Sequence, residues 1–583
     1  MTTEPENVLK LAIDEESWER QFTPVDGVPE SDAVEFGVEH TEQGPSLVVG
    51  RWLGGERGAG YEYREALPFA RGTIRGMYRT EGLRSPAVRI EVAFYCGKKR
   101  IGMKSMWMGV ASDWTAFEFT VRVPAPSSDR MVPRLMMSQK ARGRVWFARL
   151  EATPEVVTFP AQPDVGQLLR AAPPADLGKG EFYRLAERDG TYWFVTPAGK
   201  GFYSSGTDGP WFRKDEDHLA SGPEYAEFLY GCGFNTLAGW TDTVRWGELN
   251  DLLVARGRPP FALFSAMETW THTDSFDVLV GAQGKDTAWA HDFPDPFDPR
   301  FEQWYREQAK RRAEAIKGKS WFVGWFADNE AGHEELYRRV YSPNCAAALK
   351  EHLRNQYGEI GTLNAAWSTG FSSFDDLIEK KPDPVLRRGP MYDDFRRFER
   401  EIVRRYVSIT TRALREADPD HLVISNRFML NDVGSWIDLL DLYQPYDAIA
   451  VNLYPANQRL GLSRDEKEIY RMAHEKTGLP VIVGEWSVPA ADSGLYTNPD
   501  KLDWSFNELL PTQKERAAQA ERVTLDFFNM PFVIGSHWFI WKDVVNQQRE
   551  ANRGLFTHDD KPWRELTEAL ARAHRKMGVS LAV

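Results

Sequence analysis

Trp321-Phe-Val-Gly-Trp-Phe-Ala-Asp-Asn-Glu330 and Pro480-Val-Ile-Val-Gly-Glu485-Trp486 are apolar, strand-like runs that each arrive at a glutamate. On a (β/α)8 barrel the groups that do chemistry sit at the C-terminal ends of the strands. Two such ends, 155 residues apart, therefore suggest two carboxylates on one face of a barrel. Outward from this pair, from about residue 200 onward, short apolar runs alternate with longer amphipathic ones. Eight strands are predicted: 201–206, 233–237, 260–264, 321–326, 421–425, 447–451, 481–483 and 532–538. Helical segments fall between most of them, at 301–316, 346–356, 395–417, 464–475 and 512–528. Eight alternations over this length fit a (β/α)8 TIM barrel, an α/β fold, with Glu330 closing the fourth strand and Glu485 the seventh.

The first 155 residues read differently. Short alternating runs at 46–49, 60–64, 87–95, 114–121 and 145–150 are separated by Gly, Pro and Ser turns. Such spacing predicts an all-β sandwich. A Pro- and Ala-rich stretch from Pro160 to Pro174 reads as a linker. The expected organisation is a β-sandwich over 1–155, a linker over 156–180 and a barrel over 181–583. Phe182–Leu185 and Tyr192–Val195 form a two-strand lead-in around the Asp189-Gly190 turn.

The net charge of −13, from 72 basic and 85 acidic residues, argues against nucleic acid, whose phosphates need a basic partner. It gives no reason to expect anionic membranes either. Cys96, Cys232 and Cys345 are odd in number and in no metal-ligand pattern, so free buried thiols are expected. The N-terminus lacks a basic start and an apolar core, and no run nears 18 apolar residues. These features read as a cytoplasmic protein with no membrane partner. His333-Glu-Glu-Leu-Tyr337 and His474-Glu-Lys-Thr-Gly478 fail to complete the two-histidine zinc motif, and no Walker loop or Gly-x-Ser-x-Gly elbow is present. No metal or other cofactor is indicated.

Several residues near the two strand ends are candidates for chemistry. Glu330 is either an acid–base group or a carboxylate capping the next helix; a second Asn-Glu pair, Asn507-Glu508, has no strand before it. Glu485 is either catalytic or half of a buried ion pair with a barrel arginine, because an unpaired buried charge is costly. Asn329 accompanies Glu330. Asn452-Leu-Tyr454 ends the sixth strand, and the Tyr454 hydroxyl is placed to donate to a strand-seven carboxylate. Trp538 and Trp541, in a chain with 21 Trp, 20 Tyr and 33 Phe, are either a sugar platform or core. His537 and Trp486 are further substrate-contact candidates. Asp328 and His333 are sugar ligands or supports for the residues that are. Glycosidic bonds are cleaved by two carboxyl groups, and an oligosaccharide is the expected partner. A homo-oligomer is left open.

These segments together resemble the large clan of retaining glycosidases on (β/α)8 barrels, and within it the family 50 glycoside hydrolases, the β-agarases. The resemblance is carried by residues 192–206, 293–301, Trp325-Phe-Ala-Asp-Asn-Glu330 and Gly535-Ser-His-Trp-Phe539. Tyr357-Gly-Glu-Ile-Gly-Thr-Leu-Asn-Ala-Ala-Trp367 is similar to a segment of family 42 β-galactosidases. The resemblance implies a carbohydrate-binding-like sandwich before the barrel, Glu330 as acid/base and Glu485 as nucleophile. It further implies exo-acting cleavage of β-linked galactose units. The alternatives are a β-glycosidase for another sugar and a non-catalytic carbohydrate-binding barrel. A retaining enzyme needs its carboxyls about 5–5.5 Å apart, with the acid's pKa raised and the nucleophile's low.

Overall fold

Eight parallel strands pair each with the next, and the last returns to the first. The computed structural model describes residues 9–579, apart from 22–32, 52–58, 68–70, 84–87, 97–98, 123–129, 138–141, 155–167, 210, 283, 285–291, 385–388, 431–432, 456–459, 496–508 and 547–548. The Asn507-Glu508 pair lies outside the described residues. The barrel strands are β1 (Ser204–Thr207), β2 (Thr236–Leu237), β3 (Ala262–Ala266), β4 (Phe322–Asn329), β5 (Leu422–Met429), β6 (Ala448–Asn452), β7 (Val481–Trp486) and β8 (Val533–Trp538). β1 and β8 close the ring with Ser204 opposite Gly535 and Gly206 opposite His537. This seam is tight: a methyl on Gly535 would lie 2.6 Å from the Ser204 side chain.

Helices cover the barrel at His218–Gly231, Thr243–Ala255, Pro299–Ala313, Pro390–Ala417, Arg464–Thr477, Gln513–Phe528 and Arg564–Lys576. Two of them start with reciprocal capping boxes, Ser463 with Glu466 and Thr512 with Glu515, which satisfy otherwise unpaired N–H groups. Directly after β4 the chain makes an excursion containing Pro343–Tyr357, Ile360–Trp367 and Phe374–Lys380 before the barrel helix begins.

Three details differ from the sequence reading. The run at 201–206 is two strands: Gly201–Phe202 joins an antiparallel sheet with Arg184–Arg188 and Thr191–Val195, and only Ser204 onward enters the barrel. The hairpin turn of that sheet puts Asp189 and Gly190 at φ 54° and 73°, the left-handed pair that a two-residue hairpin loop needs. Its Tyr183, Phe194 and Phe202 pack with Phe264, Ile424, Ile482 and Ile534 and plug the barrel interior. Second, β5 continues past Ser425 to Met429, which brings Arg427 to the rim. Third, the stretch expected as a linker is, where described, a strap on the barrel. Arg170 lies 3.8 Å over the Trp193 ring and donates to the Val533 carbonyl at 2.6 Å.

Residues 9–154 form two antiparallel sheets around one core. One sheet orders its strands Val34–Thr41, Gly44–Arg51, Gly143–Pro154, Arg71–Glu81 and Thr115–Arg122, with Leu9–Lys10 added at Gly143–Pro154. The other orders Trp18–Gln21, Ala59–Tyr63, Arg130–Met137, Val88–Cys96 and Lys99–Met108. Leu47, Val49, Phe119 and Phe147 of the first sheet meet Tyr61, Ile90, Val92 and Leu135 of the second. The strands at 34–41, 71–81, 99–108 and 130–137 escaped the sequence reading.

Among the described residues no helix is long and apolar enough to cross a membrane. Cys232 and Cys345 are buried free thiols, and burial pushes the Cys232 thiol up to about 12.

Candidate active site

The C-terminal ends of β4 and β7 each deliver a glutamate to the same rim. Glu485 is 4% exposed within β7. The residue before it must be glycine: a methyl on Gly484 would lie 2.6 Å from Asn452 Oδ1 and 2.7 Å from Arg427 Cδ. Without that methyl, β7 passes close to its neighbours and Glu485 meets two hydrogen-bond donors and a cation. Trp240 Nε1 donates to Oε1 at 2.6 Å, and the Tyr454 hydroxyl donates to Oε2 at 2.6 Å. Arg427 Nη1 pairs with Oε1 at 3.2 Å. The two sequence readings of Glu485 therefore meet in one group, a rim carboxylate that is also half of a buried ion pair.

Glu330 is held differently. It is half-buried, and its φ of 50° puts a non-glycine residue in the left-handed region, a strain that clusters at functional sites. Its N–H donates to the Arg427 carbonyl at 3.0 Å, and its Oε1 accepts from Asn452 Nδ2 at 2.8 Å. Asn452 also reaches Asn329 Oδ1 at 3.4 Å. One short stretch of chain, Asn452 to Tyr454, thus contacts both glutamates.

Burial raises the Glu485 pKa above its ordinary value; the Arg427 charge opposes this, the Glu330 charge adds to it, and the bonds from Trp240 and Tyr454 oppose it. This corrects the expectation of a low value in the free protein, which overlooked how completely β7 buries the group. Asp208, just past β1, is buried and also raised, by burial first, against Arg427 and with Glu485.

The other predicted residues divide. Asn329, Asn452 and Tyr454 are at the rim, and the Tyr454 ring has Arg553 5.0 Å above it. Asp328 is buried among the donors Thr269, Asn329 and Tyr406, so its oxygens are occupied by protein; burial still lifts its pKa to about 6. His333 is buried, with Nδ1 against the Ala331 carbonyl at 2.6 Å and Nε2 against the Tyr443 hydroxyl at 2.6 Å. Both support the β4 end from behind. His537 lies inside the barrel with Nε2 2.8 Å from Ser204 Oγ, and burial takes its pKa down to about 3.

Trp538 and Trp486 do not offer open ring faces. They pack edge to face at 4.9 Å, Trp486 meets Phe527 at 5.5 Å, and Trp538 Nε1 donates to the Arg553 carbonyl at 2.9 Å. Trp541 is likewise buried, against Phe556 and Phe228. These tryptophans join strands to the helical layer, where apolar rings exclude water best. The half-exposed rings near the two glutamates are instead Trp240, Trp270 and Phe539. Trp240 and Trp270 meet edge to face at 6.4 Å, and Phe539 meets Tyr454 at 6.4 Å.

Comparison with known proteins agrees with this architecture. A β-galactosidase family model matches residues 284–492, which include both glutamates. β-Agarase B of Vibrio sp. (strain JT0107) is 26% identical over 360 residues, 58% of this chain and 34% of that protein. β-Galactosidase Bga of Halorubrum lacusprofundi is 32% identical over 162 residues, 26% of this chain and 22% of that protein. This chain is a relative of the β-agarases and β-galactosidases, which are glycoside hydrolases. It spans only about a third of the length of the Vibrio protein, 34%. The fold extends over the sandwich as well. The crystal structure of an agarase, AgWH50C, superposes with TM-score 0.60 at 16% identity, covering 98% of this chain and 99% of that one. An exo-β-agarase structure gives TM-score 0.60 at 14% identity and covers 98% of each chain.

Sequence reasoning missed Asp208, Trp240, Arg427, Phe539 and Arg553. Arg427 left a trace in the reading of Glu485 as half of an ion pair with a barrel arginine, and Phe539 ends one of the segments that carry the resemblance.

Proposed function

We propose that this chain is a retaining β-glycosidase acting exo on β-linked galactose-containing oligosaccharides, as its agarase and galactosidase relatives suggest. The observation that carries this reading is the pair of rim glutamates in unlike settings, linked through Asn452 and Tyr454. Glu485, gripped by Trp240, Arg427 and Tyr454, is oriented as a nucleophile. Glu330, half-buried and with Asn452 on one oxygen, is suited to exchange a proton with substrate and water.

The chemistry runs in two displacements. A Glu485 oxygen attacks the anomeric carbon while the bond from that carbon to the leaving oxygen breaks. The leaving oxygen takes the proton of Glu330. Water then gives a proton to Glu330 and attacks the same carbon, and the Glu485 carboxylate departs. Two inversions leave the β configuration retained. Trp240, Trp270 and Phe539 supply half-exposed rings on which the C–H faces of a pyranose can pack.

The test is a panel of agaro-oligosaccharides, β-galacto-oligosaccharides and an aryl β-galactoside, run with wild type, Glu485→Gln and Glu330→Gln, with product anomers followed by NMR. Release of the β anomer first, by wild type only, supports the reading. First release of the α anomer removes the retaining mechanism, and binding without turnover favours a carbohydrate-binding barrel.

A further inference from the structure

Behind the rim carboxylate lies a second one that the mechanism above does not use. Asp208 follows β1 and is completely buried. Its Oδ1 accepts the Trp240 backbone N–H at 2.9 Å, and Trp240 sends its indole N–H to Glu485 at 2.6 Å. Its Oδ2 has no hydrogen-bond partner and faces Arg427 Nη1 at 3.9 Å, the same nitrogen that pairs with Glu485 at 3.2 Å. Arg427 is itself completely buried, with its guanidinium 4.7 Å over the Trp240 ring and 5.3 Å over Phe326. One buried cation therefore stands between two buried carboxylates, and one tryptophan ties both to the β2 end.

We propose that Asp208 is a positioning residue, the reserve counter-ion of Arg427, which holds the guanidinium in place as Glu485 gives up its charge. The role in catalysis rests on the reading of Glu485 as nucleophile. When a Glu485 oxygen bonds to the anomeric carbon and the leaving oxygen takes the Glu330 proton, Glu485 becomes a neutral ester. Arg427 would then be a buried charge without its nearest partner, a costly state. Asp208 supplies a second partner without movement of the backbone. In the free protein the same arrangement couples the two carboxylates: negative charge on either disfavours it on the other.

The groups that face this cluster are Trp240 from β2, Glu330 from β4, Arg427 from β5, Tyr454 from β6, His537 from β8 and Arg553 over the Tyr454 ring. Asp208→Asn keeps an oxygen for the Trp240 N–H and removes only the charge. The Glu485 side-chain carboxyl, followed by 13C NMR in glutamate-labelled protein and assigned with Glu485→Gln, should titrate about one pH unit lower in Asp208→Asn. The acid limb of kcat/KM should move down by a similar amount. Enzyme trapped with a 2-deoxy-2-fluoro glycoside should recover activity several-fold faster than wild type, because its ester is less well balanced. An unchanged Glu485 titration overturns the proposal, as does an unchanged lifetime of the trapped ester. A shifted titration in a protein that cleaves nothing in the panel keeps the charge coupling and fails the glycosidase reading instead. If Asp208→Asn does not fold, Asp208→Ser retains an acceptor and carries the same test.

Discussion

The ends of β4 and β7 each carry a glutamate, yet the two side chains live in opposite surroundings. Glu485 sits inside β7, almost without solvent, under an indole, a phenol and a guanidinium. Glu330 sits one residue past its strand, in a left-handed conformation and half-buried. Under the proposed roles, environment rather than residue type separates the group that stays aimed from the one that picks up and releases protons.

The strongest blow to this contrast should come from Glu485→Gln. It is expected to lower kcat on every substrate by on the order of 10⁴-fold, and azide should restore turnover in Glu485→Ala by giving an α-glycosyl azide. Equal activity in both proteins would end the proposed division of roles. Glu330→Gln should cost about 10²–10⁴-fold on oligosaccharides, whose leaving oxygen needs a proton. It should cost far less in the first step with a dinitrophenyl glycoside, which needs none. Its pH profile should change as well. The Glu330 charge helps raise the Glu485 pKa, so its removal should shift the acid limb of kcat/KM to lower pH.

Tyr454→Phe probes the grip on Glu485 alone. Loss of one aimed donor should reduce kcat by about 10²-fold with little change in the binding of product. A drop in product affinity with kcat intact would make Tyr454 a sugar contact instead. The smallest expected effect lies beneath the rim. His537 and His574 are buried neutral, with values pulled down to about 3 and about 4. Below about pH 6.5 the unfolded chain takes up these protons and the folded chain does not, so stability falls as pH drops through that range. His537→Asn should lessen the slope of unfolding free energy between pH 6.5 and 4.5 by up to about 1.4 kcal/mol per unit, measured by urea melts. Identical slopes would place the proton uptake elsewhere.

What the sequence disclosed follows the same contrast. Glu330, Glu485 and Tyr454 were legible because each ends or follows an apolar run, and a barrel sends strand ends to one face. Arg427 was not, because the polar pair Asn426-Arg427 looks like the end of a strand that in fact continues to Met429. Asp208 and Trp240 follow strands of four and two residues, Ser204–Thr207 and Thr236–Leu237, too short to announce an end. Trp486, Trp538 and His537 were legible as rim neighbours in sequence but not in direction. Neighbouring residues of a strand face different layers, and the register irregularity between Val483 and Trp486 spoils a simple alternation. The sandwich was legible as a class and only half of it as strands.

The barrel seam also constrains the order in which this molecule can be built. Ser204 and His537 touch across it at a sequence separation of 333, and the Arg170 strap fastens onto carbonyls of Phe528, Met530 and Val533. Contacts so remote carry a large loop-closure cost and form late. Until β8 has been made the ring cannot close and β1 lacks its partner on one edge. Glu485 precedes Val533, the first residue of β8, by 48 residues, so the ring around the charge pair can close only after both of its members have been made.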